Sequence, residues 1–277
     1  MKKCSQIRYN TNPDDAKHYD TQKLRDQYLI INFLRPDELH IIYTYYDRMI
    51  IGGTVPTKES IKLDPIEHQK ADFFLQRREM GIINVGNTGT VIADGEKYEL
   101  QYKDALYLGL GVKDIFFISA DTGKPAKFYI NACLAHAKYP NVKISREQAI
   151  PNLIGSQKNT SYRSLNQYIV PKLVKTCQLM MGITEVQEGN AWNTMPCHLH
   201  QLRMEAYFYF EIPEDQAVCH FMGQPDETRH LWVHNEECVL SPSWSIHSAA
   251  GTTNYSFIWG MAGSDSEVDP VAIRDLR

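Results

Sequence analysis

The sequence lacks several features that would place a protein in a membrane or on a nucleic acid. No run of about 18 apolar residues occurs, which argues against a transmembrane helix. Residues 1–20 have a basic start but no apolar segment, so they do not match a secretory signal. Lys+Arg 29 against Asp+Glu 33 gives a net charge of -4, without the basic excess of nucleic-acid binders. Neither a membrane nor a nucleic acid is therefore an expected partner.

Cysteine pairs at close spacing are also missing. The 6 cysteines are scattered, with no CxxC pair among them. In a chain of 277 residues this pattern favours free or buried thiols in a reducing compartment over a disulfide framework. The length allows one large β domain or two smaller ones, each with its own core.

Few segments have the pattern of a helix. Asp20 or Thr21 is a candidate N-cap for a short helix that runs to about Tyr28. A second short helix is predicted over residues 164–168, ahead of Pro171. With so few helical signals, the expected fold class is all-β.

The remaining segments are typical of short strands and turns. Residues 79–100 give the clearest case, because Asp94-Gly95 separates two runs of alternating apolar and polar residues. This dipeptide predicts a tight hairpin, since both central residues of such a turn need positive φ.

The strand pattern of the first half returns in the second half. Setting Glu79 against Glu205 pairs GIINVG with YFYFEI, and Asp104–Asp114 then lies opposite Glu237–His247 after one gap. The polar segment 139–161 is predicted to connect the copies. The expected domains are residues 1–150, without metal ligands, and residues 151–277, with the metal site.

The segment PCHLHQLRME places His198, His200 and Glu205 close together. Residues i and i+2 share one face of a strand, so the two imidazoles are expected to point the same way. A turn after His200 would bring Glu205 to the same point at the start of a new strand. His247, after the turn at Pro242, is the candidate fourth ligand. Three imidazoles and one carboxylate suit Zn, Fe, Mn or Ni.

The first half carries no matching set of ligands. In the alignment of the two halves, Asp72 and Phe74 stand opposite the paired histidines and Asp114 stands opposite His247. Only the C-terminal copy is therefore predicted to bind a transition metal. The alternative, a pair of ordinary surface or core histidines, stays open at this point.

Two levels of resemblance to known families follow from these motifs. The spacing His198-x-His200-x4-Glu205 with Pro242-x-Trp244-x-x-His247 resembles the two metal motifs of the cupin superfamily. Longer stretches, including DRMIIGGTVP, RREMGIINVGNTGTVIADGEKYEL and WNTMPCHLHQLRMEAYFYF, resemble the 5-keto-4-deoxyuronate isomerase family over essentially the whole chain. The resemblance implies a bicupin: two jelly-roll-like β-barrels from an internal duplication, with a few short helices.

The same resemblance implies a cofactor, an assembly and a reaction. It implies one Zn²⁺ per subunit, a homohexamer and a role in cytoplasmic pectin degradation. The implied zinc ligands are His198, His200, Glu205 and His247. The implied activity is a ketol isomerisation between 5-dehydro-4-deoxy-D-glucuronate and 3-deoxy-D-glycero-2,5-hexodiulosonate. Two other functions stay open: an Fe-dependent cupin dioxygenase and a non-catalytic sugar-binding cupin.

An aldose–ketose isomerisation moves a proton between adjacent carbons through an enediol, so it needs a base within hydrogen-bond reach. The candidates for that base are Glu205, His230 and Tyr209. A uronate also brings a carboxylate, which an arginine fork binds well. The candidates for that contact are Arg203, Arg229, Arg163 and Lys172.

Overall fold

The computed structural model describes residues 2–264 and 269–277, and strands dominate it. Its α-helices are α1 (Pro13–Ala16) and α2 (Thr21–Tyr28). Helix α2 begins where the sequence predicts, because the Asp20 carboxylate accepts a hydrogen bond from the Lys23 backbone N–H at 2.7 Å. The all-β prediction is confirmed.

The strands divide into an earlier and a later group along the chain. The earlier strands are β1 (Lys2–Arg8), β2 (Leu29–Ile30), β3 (Glu38–Thr44), β4 (Ile50–Thr54), β5 (Ile61–Lys62), β6 (Arg78–Asn84), β7 (Gly89–Ala93), β8 (Glu96–Leu100), β9 (Ala105–Leu108), β10 (Ile115–Ser119), β11 (Phe128–Leu134) and β12 (Val142–Ile144). The later strands are β13 (Ile150–Ile154), β14 (Arg163–Ile169), β15 (Met180–Val186), β16 (Trp192–Leu199), β17 (Arg203–Phe210), β18 (Val218–Gln224), β19 (Glu227–Val233), β20 (Glu237–Ser241), β21 (His247–Gly251), β22 (Ser256–Gly263) and β23 (Asp269–Pro270). Short 3₁₀ turns occupy Glu67–Gln69, Arg146–Gln148, Gln157–Asn159 and Ile273–Asp275.

The chain forms two compact units. The first unit comprises Met1–Arg8, Phe33–Ala149 and Tyr168–Met181, and the second comprises Tyr9–Asn32, Ile150–Gln167 and Gly182–Arg277. A single boundary near residue 150 describes most of this division. It does not account for residues 9–32, which belong to the second unit, or residues 168–181, which belong to the first.

The first unit is built from two sheets with its core between them. One sheet has the order β1-β3-β4-β11-β6-β9-β12 and the other has the order β5-β10-β7-β8. Strand β10 shows how the sequence sets this packing, because Ile115, Phe117 and Ser119 are buried while the residues between them are half-buried. Phe117 packs against Phe128 of the opposite sheet, with ring centroids 5.1 Å apart. This core is continuous across both sheets.

The predicted hairpin joins β7 to β8 in this unit. Asp94 and Gly95 form the turn, with φ values of 47° and 88°. Both values are positive, as a two-residue hairpin turn requires. The Asp94 carboxylate also accepts hydrogen bonds from the backbone N–H groups of Lys113 and Asp114, both at 2.9 Å, which ties the turn to the start of β10.

The second unit repeats the strand order of the first. Its sheets run β13-β14-β15-β22-β17-β20-β2 and β19-β18-β21-β16-β23. Each strand of the series β3 to β11 therefore corresponds, in order, to one strand of the series β14 to β22. For example, β6 corresponds to β17 and β5 corresponds to β16. This match agrees with the predicted duplication and with the pairing of Glu79 (β6) with Glu205 (β17).

Two details of the sequence reading are wrong. Residues 164–168 form part of strand β14, which pairs antiparallel with β13 through contacts such as Leu165 with Asn152. Five residues are too few to support a helix alone, so sheet pairing decides their conformation. Asp72 and Phe74 are not counterparts of the histidines either. The counterpart of β16 is β5, and the longer connection between β5 and β6 holds both residues.

Among the residues described, no helix has the length and apolar character needed to cross a membrane.

Candidate metal centre

The paired histidines lie at the end of β16 and just beyond it. His198 is the register partner of His247, the first residue of β21, so the two imidazoles lie side by side on neighbouring strands. His200 follows β16 directly, and a turn at Gln201 and Leu202 leads into β17. Strand β17 pairs with β20 and β22 in the other sheet, so this turn carries the chain from one sheet to the other.

The turn brings Glu205 back towards the histidines. Its Oε2 atom lies 3.5 Å from His200 Nε2 and 3.2 Å from His247 Nε2. The Nε2 atoms of His247 and His198 are 2.9 Å apart. One ligand atom from each of the three histidines falls within 4.8 Å of the others. The three histidines therefore form one group, and a Glu205 oxygen lies beside two of them.

These separations match those expected around one ion. Ligand atoms 2.0–2.1 Å from a tetrahedral zinc ion lie roughly 3.3 Å from one another. The Glu205 Oε2 atom is buried and has no hydrogen-bond partner, and the residue is only 4% exposed. Burying a carboxylate oxygen without a partner costs free energy unless a cation lies beside it. The donor set therefore fits a divalent transition metal.

Burial keeps these imidazoles in the form that binds metals. Desolvation lowers the pKa of His198 to about 4, although the nearby Glu205 charge acts in the opposite direction. Burial, followed by the neighbouring His198 and His200, lowers the pKa of His247 well below its usual value. Neutral imidazoles offer a nitrogen lone pair, so His198 and His247 are ready to coordinate at neutral pH.

Aromatic side chains of β17 form a wall beside the cluster. The Tyr207 ring lies 5.4 Å from the His247 ring and its hydroxyl group interacts with Glu205. Burial and then the Glu205 charge raise the pKa of Tyr207 well above its usual value. Tyr209 lies next along the same face, with its ring stacked 6.2 Å from that of Tyr207.

His220 is a polar residue near the site that the sequence reading missed. It lies on β18, next to β21, and its Nδ1 atom is 2.7 Å from the Tyr209 hydroxyl. The signal was present in the alternation of β18, where Val218, His220 and Met222 are buried in turn. A histidine at an inward position of a strand is easily taken for a surface residue when the neighbouring strand is not known.

The four candidates for the substrate carboxylate lie in different places. Arg203 is buried and its guanidinium lies 3.3 Å from His200 Nδ1. Arg163 is 9% exposed, donates to the Ser161 carbonyl at 2.8 Å, and interacts electrostatically with His198 and Tyr207. Arg229 instead pairs with Glu227 at 2.8 Å. Lys172 is exposed and belongs to the first unit.

The three candidates for the base also lie in different places. Glu205 lies within the cluster, and Tyr209 contacts His220 beside it. His230 is exposed on β19, where its ring lies 6.5 Å from that of Trp232. No contact recorded for the described residues joins His230 to the histidine cluster.

The fold is shared with solved structures of low sequence identity. An IolB-like protein from Salmonella typhimurium aligns with a TM-score of 0.64 at 12% identity, covering 80% of this chain and 87% of that one. An oxalate decarboxylase aligns with a TM-score of 0.57 at 7% identity, covering 80% and 71%. Tomato vicilin aligns with a TM-score of 0.54 at 9% identity, covering 82% and 78%. The bicupin prediction is confirmed.

Relatives of much higher identity cover the full length. They include proteins named 4-deoxy-L-threo-5-hexosulose-uronate ketol-isomerase from several bacteria. The protein from Formosa agariphila is 50% identical over 273 residues, which is 98% of each chain. The protein from Bacteroides fragilis is 51% identical over 280 residues, which is 100% of each chain. Residues 34–275 match the KduI/IolB family. This chain therefore belongs to the KduI/IolB family.

Proposed function

We propose that this protein is a 4-deoxy-L-threo-5-hexosulose-uronate ketol-isomerase that uses a metal-assisted proton transfer through an enediol. The observation that carries the assignment is the near 50% identity to enzymes of that name over essentially the full length of both chains. The reaction interconverts two isomeric uronate-derived sugars, 5-dehydro-4-deoxy-D-glucuronate and 3-deoxy-D-glycero-2,5-hexodiulosonate. This activity places the protein in pectin and uronate catabolism.

The metal site of this proposal is formed by His198, His200, Glu205 and His247, and its ion is zinc. The separations of 2.9, 3.2 and 3.5 Å among their donor atoms support one shared ion. Bound zinc would supply a Lewis acid beside the substrate carbonyl without any change of oxidation state. With all four side chains as ligands, the ion would be held entirely by groups of the protein.

The substrate carboxylate is bound by arginine in this proposal. Arg163 is the stronger candidate because its buried guanidinium forms no ion pair with a carboxylate among the residues described. A buried guanidinium without an acidic partner favours an anionic ligand. Arg203 lies beside His200, so it can orient that imidazole as well as approach the substrate. Arg229 and Lys172 are weaker candidates because of their other contacts and their exposure.

Glu205 is the best placed of the three candidates for the base. One of its oxygens faces the histidines without a hydrogen bond, and its neighbour Tyr207 stays protonated because burial raises the pKa of that phenol. Tyr209 is also held as a neutral phenol by burial, which raises its pKa well above the usual value. A neutral phenol donates a hydrogen bond and does not accept a proton from carbon.

The remaining parts of the proposal are a homohexameric assembly and a cytoplasmic location. Both come from the family resemblance. The free thiols of Cys133, Cys177, Cys197, Cys219 and Cys238 are consistent with a reducing compartment. Sedimentation of the purified protein tests the hexamer directly.

An anaerobic assay with zinc tests the proposed function. The same ligand set supports oxygen activation by iron, so an Fe-dependent dioxygenase is the competing enzyme activity. The isomerase is expected to convert the uronate fully without oxygen and to consume none in air. Oxygen uptake in proportion to product would contradict the proposal. Binding of the sugar without turnover would instead indicate a sugar-binding cupin.

A further inference from the structure

The connection between β5 and β6 forms one wall of a cavity in the first unit. This connection runs over residues 63–77, whereas the corresponding connection between β16 and β17 of the second unit comprises only residues 200–202. The cavity has a volume of about 190 Å³. The connection contributes five residues to its lining, namely His68, Gln69, Ala71, Phe74 and Arg77. The longer connection therefore gives the first unit a cavity wall that three residues could not form.

Positive charge dominates the lining of this cavity. Arg48, Arg77 and Arg78 line it, and its described lining contains no aspartate or glutamate. Arg78 is only 4% exposed, and no ion pair recorded for the described part of the chain joins any of the three arginines to a carboxylate. Burial lowers the pKa of Arg78, with neighbouring Arg77 acting in the same direction and Tyr43 opposing it. Arginine nevertheless stays protonated in proteins, so a buried guanidinium without an acidic partner favours an anionic ligand.

Backbone carbonyl groups hold two of these guanidinium groups in place. Arg78 Nη1 donates to the Arg48 carbonyl at 2.7 Å. Arg77 Nη2 donates to the carbonyls of Gln69 and Lys70, at 2.8 and 2.7 Å. A guanidinium has five N–H donors on three nitrogens, and these bonds use one nitrogen of each side chain. The orientation of both groups is therefore fixed before a ligand binds, which lowers the entropy cost of binding.

Arg48 lines the cavity from a tight turn between β3 and β4. Asp47 and Arg48 are the central residues of the turn, with φ values of 46° and 51°, and the Met49 N–H donates to the Tyr46 carbonyl at 3.0 Å. Glycine is the usual residue at the second central position of such a turn. Arginine at this position carries a conformational cost, so the geometry of the turn does not explain its presence. A function of the side chain in the cavity does explain it.

The rest of the lining suits an organic molecule of small size. The rings of Tyr43 and His68 meet edge to face, with centroids 4.7 Å apart. Apolar surface comes from Ala71, Phe74 and Leu134. Pockets for drug-sized ligands begin at about 300 Å³, so a cavity of about 190 Å³ suits a small metabolite better than a nucleotide or a peptide.

We propose that this cavity binds a small organic anion, whose carboxylate or phosphate group is held by Arg48, Arg77 and Arg78. The carbon skeleton of that ligand lies against Tyr43 and Phe74. Sugar acids and sugar phosphates are the two ligand classes with this chemistry, because guanidinium groups bind both kinds of oxyanion. All lining residues belong to the first unit, whereas the four proposed metal ligands belong to the second. The inference therefore does not rest on the proposed isomerase activity.

Titration calorimetry of the zinc-loaded enzyme tests the site with four probes. D-glucuronate supplies a carboxylate, glucose 6-phosphate supplies an organic phosphate, inorganic phosphate has no carbon skeleton, and glucose has no charge. At least one of the two organic anions should bind more tightly than inorganic phosphate, and glucose should not bind measurably. The tighter of the two identifies the class of the natural ligand.

Variants of Arg48 assign that binding to the cavity. Arg48→Gln and Arg48→Gly both remove the guanidinium, and glycine also suits the φ of 51°. Each variant should weaken binding of the organic anion about 10- to 100-fold, the usual effect of losing one hydrogen bond to a charged group. The Tm of Arg48→Gly should not fall, and its isomerase activity without added anion should equal that of wild type. Arg146→Gln, at an exposed arginine of the first unit outside the lining, is the matched control.

The outcomes that overturn the inference are distinct from failure of the proposed function. Equal affinity in wild type and both Arg48 variants, no binding of either organic anion, or equal affinity for glucose would each overturn it. Organic-anion binding that is lost in Arg163→Gln but kept in Arg48→Gly would place the ligand at the metal centre and would also overturn it. Wild-type enzyme that fails to isomerise the uronate would contradict the proposed function and leave the anion site standing.

Discussion

Replacing His247 with alanine tests how far the metal centre stabilises the second unit. Among the four proposed ligands, His247 alone comes from β21. The residue is 1% exposed, so His247→Ala both removes a ligand and leaves a buried cavity. Truncating a large buried side chain costs about 2–5 kcal/mol. A ligand at 1,000 times its Kd stabilises the folded state by about 4 kcal/mol, and the variant is expected to lose this contribution.

Thermal unfolding with and without a chelator separates the two effects. One kcal/mol corresponds to about 2–4 °C in Tm for a protein of this size, so chelation should lower the wild-type Tm by about 8–16 °C. The His247→Ala variant should show almost no response to the chelator and should retain little metal and little activity. His234→Ala, at an exposed position, should behave as wild type. An equal response to chelation in His247→Ala and wild type, or full metal content with normal turnover, would refute the reasoning.

Three further predictions concern other residues. Asp114→Ala should leave metal content unchanged, because Asp114 pairs with Lys62 at the surface of the first unit; metal loss measured by elemental analysis would contradict this. Arg163→Gln should raise KM about 10- to 100-fold with metal retained, since a hydrogen bond to a charged group is lost, and an unchanged KM would exclude the carboxylate contact. In the presence of a chelator, the Tm should fall as the pH drops from about 6.5 to 4. In this pH range the histidines of the unfolded chain bind protons, whereas His198 in the folded protein, with a pKa of about 4, does not. His198→Gln should reduce the dependence of Tm on pH. An identical dependence in the variant and the wild type would contradict the assigned role of His198.

The local chemistry of several turns and motifs was readable from the sequence. Asp94-Gly95 predicts its own turn because few residues adopt positive φ at two successive positions. His198 and His200 share a face because the strand repeat is two residues, and the chain needs only a short turn to return Glu205. These predictions depend on contacts between residues near one another in sequence.

What the sequence did not reveal depends on strands that are distant in the chain. His220 is identified as an interior residue only when β18 is placed beside β21. Residues 164–168 become a strand because β13 offers a partner, which local propensity does not record. Residues 9–32 belong to the second unit and residues 168–181 to the first, and this assignment likewise depends on tertiary packing. The connection between β5 and β6 is longer than that between β16 and β17. Counting back from Glu79 assumes connections of equal length, so it missed β5 as the counterpart of β16.

The central claim is that one divalent cation is held by His198, His200, Glu205 and His247 in the second unit. X-ray anomalous scattering at the zinc edge, from crystals of the purified enzyme, tests it most directly. The account predicts one strong peak per chain within about 2.0–2.3 Å of a donor atom from each of the four side chains. No peak between them, or a zinc peak elsewhere in the chain, would contradict it.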